Sequence, residues 1–94
     1  MRVHFHATFR EVVGGRSAEV PLPDGDSCPV RVLLEHIRAR WPAFDGTLVD
    51  ADGGVVRHVN VFVDGRSVRW LPDRLDTRVG SQSRVDIFPP VAGG

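Results

Sequence analysis

Ser27-Cys28-Pro29-Val30-Arg31-Val32-Leu33-Leu34-Glu35-His36-Ile37-Arg38-Ala39-Arg40-Trp41-Pro42 carries the clear helical period of this chain. Val30, Leu33, Leu34, Ile37 and Trp41 recur at helical spacing, which puts them on one apolar stripe. Ser27 is the expected N-cap, its hydroxyl accepting an amide of the first turn. Pro29 suits that turn because its missing N–H has no partner there anyway. Pro42 stops the helix at about Trp41. Burying the stripe is worth roughly 1.5–3 kcal/mol per large side chain. A lone helix cannot cover it, so a sheet is required.

Strand signals lie on both sides of this helix. Residues 2–9 alternate, with Val3, Phe5, Ala7 and Phe9 on one face and His4, His6 and Thr8 on the other, the pattern of a half-buried strand. Val12-Val13-Gly14-Gly15 predicts a turn, the glycines supplying positive φ. Arg16 to Leu22 reads as the return strand of a hairpin, with Ala18, Val20 and Leu22 on one face. Pro21 and Pro23 suit a sheet edge, where a missing donor costs little. Asp24-Gly25-Asp26-Ser27 then turns into the helix.

Beyond the helix, residues 43–57 are irregular and include the loop Asp50-Ala51-Asp52-Gly53-Gly54. Val59-Asn60-Val61-Phe62-Val63 is a strand, and Asp64-Gly65 is a strong two-residue hairpin signal. Ser67 to Leu71 is expected to return as a strand. Pro72 to Gly80 connects, with Leu75 and Val79 turned to the core. Arg84-Val85-Asp86-Ile87-Phe88 is the last strand, Val85 and Ile87 inward. One helix and one sheet make two layers round one core. The expected fold is α+β: a β-grasp with a mixed sheet of about five strands packed on one main helix, in a single domain, 1–94.

Composition removes several function classes. Hydrophobic content of 41% is that of an ordinary globular protein. Formal net charge is zero, which gives no electrostatic basis for binding nucleic acid or a membrane. No apolar run nears the roughly 20 residues of a membrane span, and Met1 to Phe5 alternates like a strand rather than a signal peptide. The lone Cys28 cannot form an internal disulfide, so a reducing cytoplasm is the expected setting. All twelve basic residues are Arg. GC-rich codon usage is one reading of that, and protection from modification is the other, since lysine amines are the usual acceptors of acyl groups. The consequence is that the Met1 amine is the one amine able to receive an acyl group.

The chain closes on Phe88-Pro89-Pro90-Val91-Ala92-Gly93-Gly94. The prolines fix φ and remove amide donors, so this stretch is expected to leave the sheet as an extended arm. Residues 89–94 are accordingly predicted to be a flexible tail. Glycine has no Cβ, so Gly93 and Gly94 can thread a channel too narrow for other residues. That leaves the Gly94 carboxylate open to attack.

Three stretches together resemble the MoaD/ThiS family of ubiquitin-like sulfur carriers. Phe5-His6-Ala7-Thr8-Phe9-Arg10-Glu11 is similar to the family's opening strand with its Ala-x-x-Arg-Glu ending. Val59 to Gly65 is similar to its central hairpin, and Val85 to Gly94 to its terminus. Arg57-His58-Val59-Asn60 and the long middle loop resemble the CysO branch, while Pro89-Pro90 resembles MoaD. The resemblance implies that a MoaB/ThiF-like adenylating enzyme uses ATP to activate Gly94. A sulfur donor then displaces AMP to leave a thiocarboxylate, and a sulfur-accepting synthase takes the sulfur for molybdopterin, cysteine or a related metabolite. The carrier itself is then no enzyme and binds no cofactor. The alternative is a ubiquitin-like modifier joined through Gly94 to target lysines, which needs the same activation.

The surface for such partners is read from strand parity. Phe62 and Phe88 oppose Val61, Val63, Val85 and Ile87, so they face away from the helix if the aliphatics face it. With Pro89, Pro90, Val91 and Ala92 they form the expected partner-binding set. Arg10 and Arg84 are candidates to pair with acidic groups on a partner. His4 and His6 share a face, as metal-binding pairs do, but lack a clear third ligand, and no metal is expected. Cys28 near a helix start is either a reactive thiol or, as small buried thiols usually are, inert. Asp50, Asp52 and Gly53 lack the remaining ligands of a calcium loop.

Overall fold

The computed structural model describes residues 1–22 and 25–90. Seven strands and two helices follow in chain order: β1 Arg2–Phe5, α1 Phe9–Val13, β2 Ser17–Glu19, β3 Ser27–Pro29, α2 Val30–Arg40, β4 Asn60–Val63, β5 Arg66–Ser67, β6 Arg78–Gly80 and β7 Val85–Phe88. Five strands make a mixed sheet in the order β2-β1-β7-β4-β5. β1 runs parallel to β7, with Val3 opposite Val85 and Phe5 opposite Ile87. The other neighbours are antiparallel. β3 and β6 form a separate two-stranded ribbon. This is the β-grasp architecture.

Helix α2 lays Val30, Leu33, Leu34 and Ile37 on the sheet, all buried. They meet Val3 and Phe5 of β1, Val61 and Val63 of β4, and Val85 and Ile87 of β7 in one core cluster. The irregular segment after α2 completes it. Phe44, Leu48 and Val49 are fully buried, and Phe44 stacks on Phe5 with ring centroids 5.6 Å apart.

Several elements differ from expectation. The first strand stops at Phe5, because Ala7 takes a positive φ of 51° and the chain turns into α1. Phe9 still reaches the core, so helix and strand satisfy the same apolar position. Ser27 does not cap α2. It lies in β3, where its hydroxyl accepts from Arg78, and the N–H of Val30 donates instead to the carbonyl of Thr77. The carbonyl of a residue distant in sequence thus takes over the cap's task. The second strand is shorter than 16–22. The return strand is only Arg66–Ser67, because Val68–Trp70 coils into a 3-10 turn whose Arg69 N–H donates to Ser67 Oγ at 3.4 Å. β6 lies within the stretch read as a plain connection.

Candidate functional site

β7 is the element that carries the tail, and it lies between β1 and β4 in the sheet. Its inward residues Val85 and Ile87 are buried in the core. Phe88 therefore projects from the opposite face, where Phe62 of β4 meets it edge-on with centroids 5.4 Å apart. The two aromatics lie together as strand parity required. Pro89 is buried and Pro90 exposed. A groove of about 510 Å³ opens here, walled by Ala7 and Thr8, by Asn60 and Phe62, and by Phe88, Pro89 and Pro90. Its floor is mainly apolar, as suits a protein-binding surface. Of the expected site residues, Phe62, Phe88, Pro89 and Pro90 are brought together. Val91, Ala92, Gly93 and Gly94, and the tail beyond residue 90, lie outside the described residues.

A polar chain anchors the root of the tail from beneath. His6 stacks on Phe88 with centroids 3.9 Å apart. Its Nε2 lies 2.9 Å from Asp86 Oδ1, and Arg10 approaches its Nδ1 at 3.5 Å. The guanidinium can only donate, so Nδ1 accepts and Nε2–H donates to Asp86. Arg84 completes the set, its Nε 3.0 Å from Asp86 Oδ2. Burial works to raise the Asp86 pKa and is the largest influence. Hydrogen bonds from Arg84 and His6, with the attraction of Arg84 and His4, together outweigh it and hold the carboxyl below its ordinary range.

Other candidates resolve differently. Arg10 also donates to the Phe5 carbonyl, and Arg84 pairs with Asp86 while its side chain stays 60% exposed. His6 is committed to Asp86 and Phe88. Among the described residues no group of three His, Cys, Asp or Glu is placed to hold a metal. Asp50 Oδ1 accepts the N–H groups of Asp52 and Gly54 and so shapes its own loop. Cys28 is buried, and burial pushes its pKa up against the opposing pull of Arg78, which disfavours the reactive thiolate. The Met1 amine donates to the Val20 carbonyl at 2.9 Å and pairs with Glu19 at 3.2 Å. No helix among the described residues is long and apolar enough to cross a membrane.

Two features escaped the reading of the residues. The His6–Asp86 contact joins positions 80 apart in sequence and left no local signal. Trp70 is 82% exposed beside the sheet, where a continued strand had been expected.

A β-grasp sheet whose central strand leads into a Pro-Pro arm is matched by the ThiS family over residues 3–94. The chain belongs to the ThiS family. Small archaeal modifier protein 3 of Haloferax volcanii is 39% identical over 94 residues, spanning all of this chain and 98% of the relative. The crystal structure of SAMP1 from Haloferax volcanii superposes with a TM-score of 0.80 at 29% identity, covering 100% of this chain and 98% of that one. A chain of the Amycolatopsis orientalis BexX/CysO complex gives a TM-score of 0.77 at 26% identity, covering 99% and 98%. A protein named a putative sulfur carrier, from Archaeoglobus fulgidus, is 40% identical over 47 residues, covering 50% of this chain and 52% of the relative, so the relatives include proteins named as modifiers and as carriers.

Proposed function

We propose that this chain is a sulfur carrier whose Gly94 carboxylate is adenylated by an activating enzyme at the expense of ATP and then converted to a thiocarboxylate. The observation that carries the reading is the anchored tail root: β7 is held on both sides, and Phe88, stacked on His6, passes directly into Pro89-Pro90. A carboxylate is a poor electrophile and its mixed anhydride with AMP a good one. The carrier therefore supplies a reactive end and a recognition surface, and the partner enzymes supply the acid–base chemistry. The sulfur goes to a synthase making molybdopterin, cysteine or a related metabolite.

Conjugation through Gly94 to lysines of other proteins is the second reading. It is favoured by the 39% identity to a protein named as a small archaeal modifier. With no lysine in the sequence and the Met1 amine engaged, such a modifier would add singly rather than in chains.

The test incubates the full chain with the E1-like enzyme of its own genome, ATP and sulfide, and reads intact mass. Exchange of one oxygen for sulfur at Gly94, lost on deleting Gly94, supports the carrier reading. No such product, with Gly94 found joined to target lysines in cell extracts, overturns it in favour of the modifier.

A further inference from the structure

A second groove, of about 550 Å³, lies on the sheet beside the tail-root groove and shares Asn60 and Phe62 with it. Arg66, Arg69, Trp70 and Leu71 form its other side, and no acidic residue lines it. Arg66, Arg69 and Trp70 are all exposed. Arg69 donates one N–H to the Val59 carbonyl. Among the described residues neither arginine is in an ion pair. Trp70 and Arg are the side chains that most often anchor protein interfaces, and an arginine fork fits a carboxylate with two parallel hydrogen bonds.

We propose that the Trp70 groove docks a partner-protein segment that carries carboxylates beside an apolar side chain. The apolar group lies on Trp70, Phe62 and Leu71, and the carboxylates meet Arg66 and Arg69. Charge complementarity selects this occupant: two cations face an opening without a counter-charge. A nucleic-acid strand fits less well, because two arginines on a chain of zero formal charge neutralise too few phosphates. The inference rests on the reading that partner proteins handle the tail, since the shared Phe62 lets one partner cover both grooves.

The test is a titration of the 15N-labelled full chain with a short synthetic peptide of Glu-Asp-Leu repeats. A control peptide has Gln and Asn in place of the acids. Saturable shifts of the Trp70 indole and of Arg66 and Arg69 are expected with the acidic peptide alone, weakening as salt is raised. The double variant Arg66→Glu with Arg69→Glu, checked for an otherwise native spectrum, should lose about tenfold or more in affinity, as should Trp70→Ala. Equal binding of the neutral peptide, no saturable shift, or tighter binding of oligothymidylate in the groove overturns the proposal. These outcomes are independent of the mass assay, so failure of the groove and failure of thiocarboxylate formation are told apart.

Discussion

The imidazole of His6 lies flat against Phe88, ring centroids 3.9 Å apart and planes 8° from parallel. The same imidazole reaches Asp86, two residues earlier on β7, at 2.9 Å. One side chain on the turn after β1 therefore grips the last strand twice, just before the chain leaves the sheet.

Replacing His6 by Ala removes both grips. The stack contributes about 0.5–1.5 kcal/mol, and a hydrogen bond to a charged group about 1.5–3 kcal/mol. Solvent reaches this site, so a total loss of about 1–2 kcal/mol is expected in urea unfolding. His6→Phe keeps the stack alone and should fall between the two. Stabilities of all three within error of one another would show that the contact is incidental.

Acid should weaken the fold through Asp86. Its folded-state pKa lies below the ordinary 3.8, so the unfolded chain binds the proton more readily. The stabilisation is complete above the unfolded value and disappears as pH falls through the folded one. Asp86→Asn removes that dependence. Its denaturation midpoint should therefore drop less than that of the parent between pH 7 and about pH 3. Parallel pH profiles would contradict this.

Cys28 should resist alkylation while the protein is folded. The thiol is buried and its pKa stands above the ordinary 9.0. Iodoacetamide labelling at neutral pH is expected to be slower by about tenfold or more than in urea, because the thiolate is both scarcer and shielded. Rapid native labelling would restore the reading of Cys28 as a reactive thiol.

Gly80 is a position where added bulk has nowhere to go. A Cβ there would sit 2.5 Å from the carbonyl oxygen of Asp26. Gly80→Ala must push β6 away from β3 and should cost about 1–3 kcal/mol, the range for overpacking. At Gly15 the nearest atom to an added Cβ is 3.9 Å away, so Gly15→Ala is the matched control. Equal melting temperatures for the two variants would refute the steric account.

The features legible from sequence were those with a short period or a local chemical cause. Val30, Leu33, Leu34 and Ile37 repeat at helical spacing, and all four are in the core. Asp64 and Gly65 both take positive φ, at 50° and 83°, as the two-residue turn requires. Phe62 and Phe88 followed from counting parity. Ala7 could not be foreseen, since its alternation with Phe5 and Phe9 suits a strand and nothing marks an alanine for positive φ. The β3–β6 ribbon joins two three-residue stretches far apart in the chain, too short for a pattern. The His6–Asp86 pair is likewise a product of topology: only the parallel pairing of β1 with β7 brings them together. Trp70 looked like a strand residue because exposure of one large side chain has no periodic signature.

The sheet order β2-β1-β7-β4-β5 bears on assembly as well as on shape. Without β7 the sheet would be two separate strand pairs, β2-β1 and β4-β5, and isolated two-stranded pairs are marginal in water. A copy broken off before Val85 lacks the strand that unites its halves, and it leaves the facing edges of β1 and β4 bare. Pro89 follows directly on β7, so it is displayed on the sheet only once β7 has joined β1 to β4. Sheet assembly and display of the Pro89-Pro90 root are thereby completed by one and the same strand.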